Sequence, residues 1–73
     1  MDAEKLRRMR NDPLAYAMRD CRYSLLAIEF AMDRAAALVA SGVDPYRADS
    51  QALSDAHAEF EASGRLMQRA RVA

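Results

Sequence analysis

Apolar positions between Leu14 and Val39 recur at helical spacing in two separate rows. The first row is Leu14, Met18, Cys21, Leu25, Ile28, Met32, Ala35 and Val39, an unbroken alternation of four- and three-residue steps; the second is Tyr16, Tyr23, Leu26, Phe30 and Ala37. At about 100° per residue the two rows lie roughly 150° apart around one axis. A helix that is apolar on two sides is not satisfied by a single neighbour, so the pattern points to association rather than to chemistry.

Local signals place the ends of this helix and open a second one. Asn11-Asp12-Pro13 offers a cap oxygen followed by a proline at the first helical position, where its missing N–H was unpaired in any case. Ser41-Gly42 supplies a glycine that can take the left-handed conformation closing a last turn, with Val43 placed to pack back on it. The predicted helix therefore runs from about 13 to 41. Asp44-Pro45 repeats the first start signal, and a second helix is expected from about 45 to 70, forced antiparallel by the short connection. Its apolar row is Tyr46, Leu53, Phe60 and Met67, with Ala56, Ser63 and Ala70 between them. Ser63-Gly64 is its weak point, because glycine costs about 1 kcal/mol in a helix interior.

Residues 1–12 read as a basic arm, with Leu6 and Met9 on one side, frayed or loosely helical when free because so few residues make a marginal helix. Residues 13–73 read as the helical hairpin. The expected fold class is all-α: an antiparallel two-helix hairpin with a short N-terminal arm, pairing into a dimeric four-helix bundle. A chain of 73 residues buries a marginal core on its own, which makes association the available source of further stability.

Composition changes this picture in few places. One cysteine cannot form an intrachain bridge, and Cys21 sits within the first row, where a thiol is expected to behave as a small buried hydrophobe. No run approaches the roughly 18 apolar residues of a membrane span, and the first residues lack the apolar core of a signal peptide. The expectation is a soluble, cytoplasmic chain with no membrane partner. Ten of the eleven basic residues are Arg, a habit common in high-GC bacterial and phage genomes.

Eleven bases balance eleven acids, which removes a global electrostatic case for nucleic acid. The distribution is uneven, however. Lys5, Arg7, Arg8, Arg10, Arg19, Arg22, Arg65, Arg69 and Arg71 would share one pole of an antiparallel hairpin, opposite an acidic stretch containing Glu29, Asp33, Asp44, Asp49, Asp55, Glu59 and Glu61. That basic pole could serve phosphates or an acidic protein surface.

Catalytic chemistry finds no support. One histidine and one cysteine do not make a zinc site, no glycine-rich phosphate loop is present, and the carboxylates do not converge. No cofactor and no metal are expected. His57, beside Leu53 and Phe60, reads as a boundary residue with one wet side. The aromatic row is the better candidate: Tyr16, Tyr23, Leu26 and Phe30, with Tyr46 on the second helix, are the residue types that anchor protein interfaces. The expected function is that of a small non-enzymatic regulator, dimeric, which binds a larger protein and inhibits it. The alternatives are a dimeric nucleic-acid-binding protein using the basic pole, although no helix-turn-helix is visible, and a structural subunit of a helical assembly. Replacing Leu25 or Ile28 by Ala is expected to cost about 2–5 kcal/mol.

Overall fold

The computed structural model describes residues 3–68, apart from the side chain of Lys5. The described residues are all-helical in architecture, with four helices packed on one another: α1 (Ala3–Asn11), α2 (Pro13–Asp20), α3 (Leu25–Ala40) and α4 (Pro45–Phe60). The long helix expected over 13–41 is therefore two helices, and the one expected over 45–70 ends early; residues 69–70 lie outside the described part.

The predicted starts are made as the sequence implies. Asp12 has extended backbone, and its carboxylate accepts hydrogen bonds from the Leu14 N–H at 2.9 Å and the Ala15 N–H at 3.4 Å, with Pro13 opening the helix. Asp44 does the same for Tyr46 and Arg47 ahead of α4.

Three helix ends share one geometry. At each, a left-handed residue donates its N–H to the carbonyl three positions back, and the residue after it donates to the carbonyl five positions back. After α3 the bonds are Val43 to Leu38 and Gly42 to Val39, with Gly42 at φ +99°. After α4 they are Arg65 to Phe60 and Gly64 to Glu61, with Gly64 at φ +70°. After α2 they are Tyr23 to Met18 and Arg22 to Arg19, but the left-handed residue is Arg22, at φ +65°. A side chain there costs about 1–2 kcal/mol that glycine would not incur. Nothing in the apolar rows marks this end, which is why a single helix was expected across it.

The turn is fastened by the segment after α4. The Ser24 N–H donates to the Leu66 carbonyl at 2.9 Å and the Gln68 N–H to the Arg22 carbonyl at 2.8 Å, bracketing an isolated antiparallel bridge between Tyr23 and Met67. The Ser24 hydroxyl donates to the Arg65 carbonyl and accepts from the Ala27 N–H, capping α3. Leu66 thereby enters the core.

The most extensive helix contact is between α3 and α4. Arg34 pairs with Asp55 at 3.3 Å and Phe30 meets Phe60 edge-on at 5.4 Å, so advance along α3 matches retreat along α4 and the two run antiparallel. Ala27, Ala31 and Ala35 on α3 and Ala48, Ala52 and Ala56 on α4 are all buried, two four-residue rows of small side chains that bring the backbones together. Beside the alanine row on α3, Ile28 and Met32 join Met9, Ala15 and Met18 in the same apolar cluster. The arm expected to be frayed is thus a docked helix: Met9 of α1 is buried, and Arg8 pairs with Asp33 of α3 at 3.8 Å.

The first apolar row survives only in part. Met18, Ile28, Met32 and Ala35 are buried, whereas Leu25 and Val39 are exposed and Cys21 is exposed in the turn. Breaking the helix at residues 21–24 folds the row onto itself, so much of the surface expected to need another molecule is covered within the chain.

Candidate interaction surface

The five predicted interface residues divide into two groups. Tyr23 and Phe30 are half-buried and engaged internally. The Tyr23 hydroxyl lies 2.7 Å from Nε2 of His57, with the rings edge-on at 5.4 Å, so the histidine ties α4 to the α2–α3 turn. Phe30 packs against Phe60 and lies beneath the Arg34 guanidinium, 5.5 Å from the ring centre. These contacts fix α4 on α3 and leave the two rings little surface for a partner.

Tyr16, Leu26 and Tyr46 remain outward, with relative exposures of 66%, 52% and 81%. Tyr16 stands on α2 opposite its buried Ala15 and Met18, beside Arg19 and Asp20. Leu26 lies in the first turn of α3, and Tyr46 in the first turn of α4. The continuous aromatic row drawn on one helix does not exist, because the break at Arg22 turns Tyr16 away from Tyr23. Leu6, Leu25, Val39 and Met67, apolar positions outside the predicted interface set, are also exposed. For Leu25 and Val39 the sequence points the wrong way, since both lie in the row read as core.

Arg8 pairs with Asp33, an acid from the stretch assigned to the opposite pole, and with Arg7 it borders a shallow cleft reaching Asn11, Asp12 and Pro13. Arg22 and Arg65 flank the α2–α3 turn, and Arg10 and Arg19 are exposed elsewhere on α1 and α2. The side chain of Lys5, and Arg69 and Arg71, lie outside the described residues.

Among the described residues no group of three or more His, Cys, Asp or Glu side chains is placed to hold a metal ion, and no helix is long and apolar enough to cross a membrane. Among the described residues, partial burial of Asp49, reinforced by the negative charge of Asp12, raises its pKa above the usual value. Comparison of the chain with protein-family models, with curated proteins and with solved structures returns no match.

Proposed function

We propose that the chain is a small non-enzymatic regulatory protein that binds a larger protein through exposed apolar and aromatic side chains and inhibits it. The observation carrying this reading is the exposure of Tyr16, Leu26 and Tyr46. Such side chains gain most when a partner removes them from water, and tyrosine combines a large apolar ring with a hydroxyl that tolerates the free state. A homodimer belongs to the same proposal, because a second copy can also cover apolar surface.

The test is affinity capture from cells of the source organism with wild type, Tyr16→Asp and Tyr46→Asp in parallel, followed by an activity assay of the captured protein. The expected result is one prey retained by wild type, weakened at least tenfold by either substitution, and inhibited on binding. Equal capture by all three forms overturns the assignment of these residues. If instead the chain binds duplex or single-stranded nucleic acid with an affinity that falls steeply with salt, the phosphate reading replaces this one.

A further inference from the structure

We infer that the turn at residues 21–24 is a hinge, and that a second copy of this chain docks by exchanging the α1–α2 arm. In the exchanged form α2, the turn and α3 make one straight helix, and the arm of each copy packs on α3 and α4 of the other. This rests on the homodimer part of the proposal above and is independent of any foreign partner.

Two observations of different kinds meet at this turn. Along the sequence, the alternating four- and three-residue steps run through it without interruption, and neither glycine nor proline occurs between Leu14 and Ser41. In the fold, the same stretch is bent by holding Arg22 at φ +65°, a conformation an arginine adopts only under constraint. The local preference of the chain and its bent form are therefore in conflict at four residues, which is the condition under which short hinges exchange.

What holds the bend is a small set of contacts: the bonds of Arg22 and Ser24 to the 65–68 segment, the Ser24 cap on α3, and the Tyr23 to His57 bond. What exchange preserves is larger. Met9, Ala15 and Met18 would meet the same cluster around Ile28 and Met32, and Arg8 the same Asp33, with only the ownership of the arm changed. No other molecule offers that arm, so the occupant is a second copy. Straightening also returns Cys21 and Leu25, both exposed in the bent form, to the helical row that their spacing describes.

The experiment is light-scattering mass measurement of the full chain over a concentration series, with two variants acting in opposite directions. Leu25 is the first residue of α3 and follows Ser24, which is extended. Leu25→Pro therefore suits the bent form, as Pro13 and Pro45 do, but cannot sit inside a continuous helix. It is expected to stay at 8.2 kDa at every concentration. Arg22→Ala/Ser24→Ala weakens the bend and favours helix; its dimer dissociation constant is expected to fall at least tenfold below that of wild type. In dimers mixed from differently labelled chains, methyl contacts between Met9 and Met32, which border the same cleft, are expected between chains rather than within one. A hinge variant that remains monomeric, a Leu25→Pro form that dimerises as wild type does, or Met9–Met32 contacts confined to single chains would each overturn the exchange. A Leu25→Pro monomer that still captures prey leaves the proposed function standing, so the two can fail separately.

Discussion

Ile28 and Leu25 occupy one apolar row, three residues apart, and by sequence alone the two should respond alike to truncation. The structure separates them: Ile28 is completely buried, whereas Leu25 is 52% exposed. Ile28→Ala removes buried carbons and leaves a void that neighbours such as Met18 and Met32 fill only partly, at a cost of about 2–5 kcal/mol. Leu25→Ala forfeits roughly half of the 1.5–3 kcal/mol of a fully buried leucine and regains some helix propensity, for a net loss of about 1 kcal/mol or less. A chain of this size has a stability on the order of 4–11 kcal/mol, so the first substitution brings the protein close to unfolding. With an unfolding entropy near 0.15 kcal/mol/K, a 3 kcal/mol loss lowers Tm by roughly 20 °C. Urea titration in dilute solution, followed by circular dichroism at 222 nm with the slope held common, measures both changes. Losses of equal size for the two variants would refute the placement of the α2–α3 break, since an unbroken helix would treat them alike.

Other expectations test separate parts of the fold. Arg22→Gly relieves the left-handed strain and should raise stability by about 1 kcal/mol, whereas glycine inserted at the exposed Ala36 should lower it by a similar amount; calorimetric Tm values decide. Ala31→Leu and Ala52→Leu should each destabilise by about 1–3 kcal/mol despite added apolar area, because the helices must separate to admit the larger side chain; stabilisation by either would contradict the alanine contact. Tyr23→Phe should cost about 1 kcal/mol through loss of the bond to His57, read by the same urea titration. The raised Asp49 pKa means that the folded state binds this proton more tightly than the unfolded state, so its contribution favours folding in acid and is lost as pH rises through the folded-state value. Asp49→Asn should therefore be more stable than wild type at neutral pH, with the advantage shrinking below the carboxylate range. A constant difference from pH 3 to pH 7 would argue against the shift.

The capping residues were legible from the sequence because each acts through local chemistry. Asp12-Pro13, Asp44-Pro45 and Gly42 carry their geometry in the residue itself, and the fold uses all of them. The end of α2 was not legible because Arg22 fills a position that glycine usually fills, and its conformation is imposed from afar by Leu66 and Gln68. Ser63-Gly64 was visible as a weakness, but its role in turning the chain back toward Ser24 depends on contacts more than forty residues apart in sequence. The main helix contact was missed for another reason: Ala27, Ala31, Ala48 and Ala52 add little to a hydrophobic pattern dominated by leucine and aromatic side chains. Of the five residues expected at an interface, Tyr16, Leu26 and Tyr46 are exposed, while Tyr23 and Phe30 are engaged by His57 and Phe60.

The alanine contact also bears on how this chain can change over time. One base change in an alanine codon yields glycine, serine, threonine, valine, proline, aspartate or glutamate, and at a fully enclosed helical site nearly all of these add bulk, charge or a break. The interior of the α3–α4 pair should therefore resist drift at Ala27, Ala31, Ala48 and Ala52, while the methionines packed beside them, being pliable, accept exchange. In a saturation library selected for folding, those four codons should stand out as the least permissive of the gene.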